Sequence, residues 1–393
     1  MPRRQTGITS YTTSDGRKQW QYVLDHGVDA ITGKRRQRRV RGFATSADAT
    51  KALAEAKRTI EEGTFVEPSK LTLDAYLLSW ADTRAVTGLA PKTASSYRQI
   101  VRDYVIPHIG HVPLQKLTAI ALDDLYVLLL EEGGKRQQGL SRRTVRYTHT
   151  IINCALESAE RKGLVTRNVA RFADPPSAKS SKPPEPKVWT PAELRTFLDS
   201  TADHRFAMLF HLAALTGMRR GELCGLEWES VDLDAAELRV RQALTLVDGK
   251  PVFGPPKSRQ SRRTISLDPG TVELLRKHRR RQKEARLAAG ADWLDTGLVF
   301  TGPVGQQLHP DNVSFDFVGA VETLDGAVPT LSIHGLRHTH ATHLLASGAN
   351  PKIVSERLGH HSVAFTLDTY AHVMPGQQAD AAAAVAALLK QSV

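Results

Sequence analysis

Two cysteines in 393 residues, Cys154 and Cys224, leave no disulfide framework and no thiolate zinc cluster. Each stands alone in an apolar helical stretch, and such scarcity favours a reducing compartment. Neither Gly-x-x-x-x-Gly-Lys-Ser/Thr nor Gly-x-Gly-x-x-Gly occurs, so no phosphate-cradling ATP loop or dinucleotide-binding turn is expected. His-Glu-x-x-His is also missing. The nearest metal-like pair, His334 and His338, has no carboxylate or thiolate in its segment, and Arg337 beside it would repel a cation; no metal and no cofactor is expected. Long apolar runs are lacking too. The longest, Ala381 to Leu389, is far too short to span a bilayer, and Met1-Pro-Arg-Arg-Gln-Thr6 leads into no apolar segment, so a soluble cytoplasmic protein without a membrane partner is expected. Acidic residues are outnumbered, 41 Asp+Glu against 53 Lys+Arg, and the formal net charge of +12 favours a polyanionic partner.

The length implies two or three domains, and 41% hydrophobic residues supports globular folding. Short β-prone runs at Ile8 to Thr13, Gln19 to Leu24 and Gln37 to Phe43 precede a helix-prone stretch, Ala47 to Glu62. The third run carries Lys34, Arg35, Arg36, Arg38, Arg39 and Arg41, six cations in eight positions, which must face solvent or phosphate on both sides of a strand. Leu73 to Trp80, Lys92 to Val105, Ala119 to Glu131 and Arg142 to Arg161 show helical apolar spacing. Their exposed cations, Arg98, Arg102, Arg142, Arg143 and Arg146, fit a clamp against a nucleic-acid backbone. The proline-rich stretch Asp174 to Lys187 reads as an extended linker, and Thr190-Pro-Ala-Glu193 as a capping box opening a new helix.

Beyond it, strands are expected at Leu238 to Leu244, Pro251 to Gly254 and Arg263 to Leu267, with a turn at Asp248-Gly249 and Lys257 in the loop between the second and third. Helices are expected at Thr271 to Leu287, Leu336 to Ser347, Lys352 to Leu358, Thr366 to His372 and Gln378 to Lys390. The fold class is therefore multidomain, mostly α with small β-sheets. Its parts are 1–65 (three-stranded sheet plus helix), 66–173 (helical), 174–188 (linker) and 189–393 (mixed α+β, with a C-terminal tail).

Five residues of the last part form a candidate phosphate clamp with a nucleophile. Arg219 follows a glycine turn at a helix start, in Thr216-Gly-Met-Arg-Arg-Gly-Glu-Leu223, where the helix dipole also favours an anion. In His334-Gly-Leu-Arg337 the first and last residues share a helical face and can reach one phosphate. His360, in Leu358-Gly-His360, and Tyr370 ten residues later can converge on the same point. Two guanidiniums grip phosphoryl oxygens, two imidazoles hold or move protons, and a phenol can attack phosphorus.

Together with Pro256-Lys-Ser-Arg-Gln-Ser-Arg-Arg-Thr-Ile265 and Leu358-Gly-His-His-Ser-Val-Ala-Phe-Thr-Leu-Asp-Thr-Tyr-Ala-His372, the order and spacing of these motifs resemble the tyrosine recombinase family of phage and mobile-element integrases. The resemblance implies an arm-type DNA-binding domain, a helical core-site-binding domain and a catalytic domain. It further implies that Tyr370 attacks a scissile phosphate to leave a 3′-phosphotyrosine, with Arg219 and Arg337 on the non-bridging oxygens. Lys257 would protonate the departing 5′-oxygen, His334 assist proton transfer at the tyrosine and His360 bond the phosphate. Glu222 would be a buried partner orienting the arginines. The implied partners are double-stranded DNA attachment sites, three further copies in a homotetramer, and an excisionase or DNA-bending host factor. The implied setting is the nucleoid of a bacterial host cell. The tail Ala381 to Leu389 would cap its own core or, as terminal segments of the family often do, dock on a neighbouring protomer. Type IB topoisomerase is the alternative with the same chemistry. Arg167-Asn-Val-Ala170 lacks the proline that commonly follows that asparagine in the family.

Overall fold

The computed structural model describes residues 7–28, 32–134, 138–181, 185–256, 259–370 and residue 386. The chain divides into two compact units, Met1–Pro183 and Pro184–Val393. Lys257 and the tail Ala381 to Leu389 lie outside the described residues.

The first unit opens with an antiparallel sheet, β1 (Ile8–Thr12), β2 (Lys18–Val28) and β3 (Arg35–Phe43), followed by helix α1 (Ser46–Glu61). Thr45 caps α1 by accepting from the Asp48 amide at 3.1 Å, relieving one of the helix's unpartnered donors. Register pairs Tyr22 with Val40 and Val23 with Arg39. Successive side chains alternate faces, so Tyr22 and Leu24 turn inward onto Leu53 of α1 in a small core. Along β3, Arg35, Arg36, Arg39 and Arg41 are exposed and Arg38 is half-buried, as the excess of cations requires.

An all-helical bundle follows: α2 (Leu73–Val86), α3 (Pro91–Ile100), α4 (Ile106–Ile109), α5 (Ala119–Glu131) and α6 (Arg142–Arg161). Between α3 and α4 the chain widens into a π turn, Val101–Val105. Pro107 just beyond has no N–H to continue the regular ladder, which accounts for the widening. Leu73, Leu77, Leu122, Leu129, Ile151 and Ile152 are fully buried in one core. Trp80 stacks on Tyr97 at 5.7 Å, and the Tyr76 hydroxyl donates to the Ala155 carbonyl at 2.8 Å, tying α2 to α6. Asn168, also fully buried, donates to the Asn153 side chain at 2.8 Å and accepts from Ala170, so it locks the end of this unit without the family's usual proline.

The second unit begins at the expected capping box. The Thr190 amide donates to Glu193 at 2.7 Å and the Glu193 amide to Thr190 at 3.3 Å, starting α7 (Pro191–Ser200). Helices α8 (Ala207–Thr216) and α9 (Arg220–Cys224) precede a three-stranded antiparallel sheet in the order β4 (Val231–Asp232), β5 (Glu237–Val240), β8 (Arg263–Ser266). The single strand expected at Leu238 to Leu244 is in fact two. The chain leaves the sheet after Val240 and forms a separate hairpin of β6 (Ala243–Val247) and β7 (Lys250–Gly254), turning at Asp248 and Gly249, both with positive φ. Then come α10 (Pro269–Ala289), α11 (Pro310–Glu322), α12 (Ile333–Ala346), α13 (Pro351–Leu358) and α14 (Val363–Tyr370). Trp189, Phe197, Phe210 and Phe317 form an aromatic centre, with Phe197 4.9 Å from Trp189 and 5.1 Å from Phe317. Helices α8 and α11 have no counterpart in the sequence reading. Leu209, Phe210, Leu212, Ala213 and Ala214 bury α8 on most sides, and such a helix has no polar face to betray its period.

Phe197 is wholly buried, whereas Ile120 of α5 is 72% exposed. Phe197→Ala is expected to lower unfolding stability by ~3–5 kcal/mol in denaturant titration. Ile120→Ala should stay within ~0.5 kcal/mol of the parent.

Candidate active site

Two helix ends of the second unit meet around two guanidiniums. Helix α8 ends at Gly217, whose φ of 63° is the left-handed conformation that terminates helices. A β-carbon there would lie 2.5 Å from Leu358 and 2.9 Å from His340, so only glycine allows this approach. Helix α13 ends in the same way at Gly359, φ 67°. The carbonyls freed at these two C-terminal ends carry the negative pole of each helix, and arginines occupy both. Arg337, from α12, donates to the Gly217 and Leu358 carbonyls at 2.7 Å each. Arg219, at the start of α9, donates to the Gly359 carbonyl at 3.1 Å.

A single carboxylate organises the rest. Glu222 accepts from the Arg219 guanidinium at 2.8 Å and from the Arg219 amide at 3.0 Å. Its two oxygens also take a fork from Arg263 of β8, at 3.2 and 2.9 Å. Although burial opposes its charge, Arg263 and Arg219 hold the Glu222 carboxyl below the usual carboxylate range. Arg219 additionally donates to Ser261 at 3.4 Å. Two arginines thus converge on one carboxylate, and a third, Arg337, feels their charge. Burial first, then Arg219 and Arg263, pull its pKa down to about 9, which leaves it charged at neutral pH. The site carries positive charge in excess of its own carboxylate and suits an anion.

Tyr370, at the end of α14, is 2% exposed. Burial pushes its phenol up to about 12, with Arg337 opposing. Its hydroxyl lies 2.8 Å from Nδ1 of His338, one residue beyond Arg337. His334 stands one ring further off, 5.1 Å from His338 between centroids, and desolvation of its ring, then the charges of His338, Arg337, Arg219 and Arg220, lower its pKa to about 4. His360 is buried and its Nδ1 meets the Thr366 hydroxyl at 2.7 Å. Burial, then Arg337 and Arg219, hold its pKa down at about 3, so it is a neutral ring.

Arg219, His334, Arg337, His360 and Tyr370 are therefore brought together, with Glu222 beneath the arginines. Three further residues contribute to the site without having been assigned to it by the sequence. Arg263 lies in the same basic motif as Lys257, yet it is buried against Glu222. The signal existed: it shares its strand face with the buried Ile265 and Leu267. Arg357 donates to His340 at 3.1 Å and to the Leu215 and Ser266 carbonyls at 3.1 Å each, pinning α13 to the rest of the unit. His338 gave no sequence signal separating it from its neighbours. Of the cations on the helical bundle, Arg98 pairs with Asp82 at 2.7 Å and Arg146 donates to the Pro176 carbonyl at 2.8 Å, while Arg102, Arg142 and Arg143 are exposed.

Comparison with known proteins covers most of the chain. Residues 187–376 match the phage integrase family, 10–60 an arm DNA-binding domain, and 72–128 the N-terminal SAM-like domain of phage integrases. A XerC-like tyrosine recombinase of Caldanaerobacter subterraneus is 28% identical across 84% of this chain and 88% of its own length. An integrase of Streptomyces ambofaciens is 28% identical across 94% and 93%. Among solved structures, the Tn1549 transposon integrase in complex with circular intermediate DNA is similar in fold, with TM-score 0.62 and 19% identity over 76% of this chain and 95% of that one. A lambda integrase tetramer bound to a Holliday junction gives 0.56 and 17% over 94% and 96%.

Glu222→Gln leaves buried guanidiniums short of their counter-charge and is expected to cost ~3–5 kcal/mol of unfolding stability, read by chemical denaturation. His340, held near 3 by burial and then by Arg357, adds a pH dependence. Below pH ~6.5 the unfolded chain binds a proton that the folded chain refuses, so stability is complete above that pH and falls as pH drops toward 3. Melting temperature measured from pH 7 to 4 should decline less steeply in His340→Gln.

Proposed function

The chain belongs to the phage integrase family of tyrosine recombinases and is a site-specific recombinase; from that premise we propose how its own residues cut and rejoin DNA. The observation that carries the reading is the burial of the Tyr370 hydroxyl beside Arg337, in a cluster with more guanidinium than carboxylate charge.

A scissile phosphate takes the place that excess charge leaves open. Arg219 and Arg337 bind its non-bridging oxygens, and their attraction grows as the pentacoordinate transition state gains charge. Tyr370 attacks phosphorus, forming a 3′-phosphotyrosine bond while the bond to the 5′-oxygen breaks. Lys257 gives that oxygen a proton, His360 bonds the phosphate, and His334 assists proton movement at the tyrosine. Glu222 and Arg263 hold Arg219 in place. One phosphodiester is exchanged for another, so the step needs no ATP and runs in both directions.

The cations of β3 and the residue before it, Lys34, Arg35, Arg36, Arg38, Arg39 and Arg41, hold arm-type DNA, and Arg98, Arg102, Arg142, Arg143 and Arg146 serve the core site. Arg98 and Arg146 would have to exchange their present partners for phosphate. Double-stranded attachment sites are the substrates, four copies act together, and an excision factor or DNA-bending host protein sets direction in the bacterial nucleoid. Among the described residues no helix is long and apolar enough to cross a membrane. The outcome is integration and excision of a phage or other mobile element. Topoisomerase chemistry alone gives no use for an arm DNA-binding domain ahead of the catalytic one.

A nicked half-site should trap a covalent adduct at Tyr370 in EDTA, resolved on a denaturing gel; an adduct in Tyr370→Phe would overturn the assignment. Arg337→Ala should slow adduct formation by at least ~10²-fold, the scale of losing one preorganised donor. Arg38→Ala with Arg39→Ala should weaken arm-site binding and flatten its salt dependence by about two in log–log slope. Core-site cleavage should remain, and equal loss at both sites would contradict the separation of roles.

A further inference from the structure

His334 is the family-implied aid to proton movement at the tyrosine, yet the ring in hydrogen-bond contact with the Tyr370 hydroxyl is His338, with His334 packed behind it. We propose that His338, through Nδ1, is the group that takes the phenolic proton of Tyr370 during attack and returns it on religation. The inference rests on Tyr370 being the nucleophile.

Geometry comes first. His338 Nδ1 lies 2.8 Å from the Tyr370 oxygen, with ring centroids 5.8 Å apart. Other candidate bases are occupied or displaced. Both oxygens of Glu222 are engaged by Arg219 and Arg263. His360 spends its Nδ1 on Thr366. His334 touches the tyrosine only by way of the His338 ring. The hydroxyl itself is buried, which limits water as an acceptor.

The chemistry agrees. A phenol pushed up to about 12 is protonated at neutral pH, so its proton must leave as the bond to phosphorus forms. Burial and the Arg337 charge lower the pKa of His338, so its ring is neutral, and in the tautomer with the proton on Nε2 its Nδ1 accepts from the hydroxyl. The charged groups facing that ring are His334 and Arg337 on its own helix, His360 after α13, and Tyr370 on α14. Every cation among them opposes an imidazolium until an anion arrives. Bound phosphate offsets Arg337 and Arg219, so the base gains strength only when DNA is in place. In the forward step the O–H proton moves to Nδ1, the O–P bond forms, the P–O5′ bond breaks and the acid of the proposed mechanism protonates the 5′-oxygen. In reverse the 5′-hydroxyl attacks, and His338 returns its proton to Tyr370.

The test is single-turnover adduct formation on the nicked half-site from pH 5.5 to 9, with DNA affinity and melting temperature measured on each variant. His338→Asn keeps an acceptor near the hydroxyl but cannot take a proton. Its rate is expected to fall ~10²–10⁴-fold near neutral pH and recover as pH rises. His338→Ala should be partly rescued by added imidazole. A substrate with a 5′-bridging sulfur, whose leaving group needs no proton, should rescue neither variant. An Asn variant within a few-fold of wild type and with an unchanged pH profile would show that His338 only positions the tyrosine. Rescue by the sulfur substrate would move its role to the leaving group. Both results overturn the proposal while wild type still forms the Tyr370 adduct; absence of that adduct in wild type defeats the functional reading itself.

Discussion

The carboxylate of Glu222 is the constraint on which the site depends. It is 3% exposed and takes charged hydrogen bonds from Arg219 on one side and Arg263 on the other. A buried carboxylate is tolerable only when paired, and buried guanidiniums equally so. Each of the three groups therefore requires the others, and the loop before α9, strand β8 and the segment after α13 are fixed relative to one another. Arg263 extends the tie by donating to the Arg357 carbonyl at the end of α13.

Around this tie, two helix C-termini act as static counter-charges. Carbonyls freed at Gly217, Leu358 and Gly359 hold Arg337 and Arg219 without neutralising them. The surplus of positive charge is thus built into the unit and does not depend on flexible surface lysines. It also governs the histidines. His338 and His360 sit among guanidiniums and are kept neutral, which leaves their ring nitrogens available as acceptors or donors of single protons. Preorganisation of this kind costs stability in the empty site, and the aromatic centre of Trp189, Phe197, Phe210 and Phe317 is part of what offsets it.

The first unit shows the opposite economy. Its cations on β3 are exposed apart from the half-buried Arg38, and they are carried by a small sheet whose inward side rests on a few residues of α1. Exposed arginines contribute little to folding, and their charge remains accessible to a polyanion. On the helical bundle the distinction is finer. Arg98 and Arg146 found partners within the fold, whereas Arg102, Arg142 and Arg143 did not become buried.

Local pattern alone determined much of this protein. Apolar spacing placed α5 and α6 at their observed ends, Thr190 marked where α7 begins, and the motifs around Arg219, His334, Arg337, His360 and Tyr370 pointed to phosphate chemistry. These signals are legible because capping, helical period and residue chemistry act over a few positions. Tertiary structure decided what pattern could not. It split the expected strand at Val240, buried α8 so fully that no period remained, turned Arg263 inward onto Glu222, and set His338 rather than His334 against the tyrosine hydroxyl. Each of those outcomes depends on residues far apart in the chain sharing one desolvated volume, where a charge or a donor must be matched by whatever the fold brings to it.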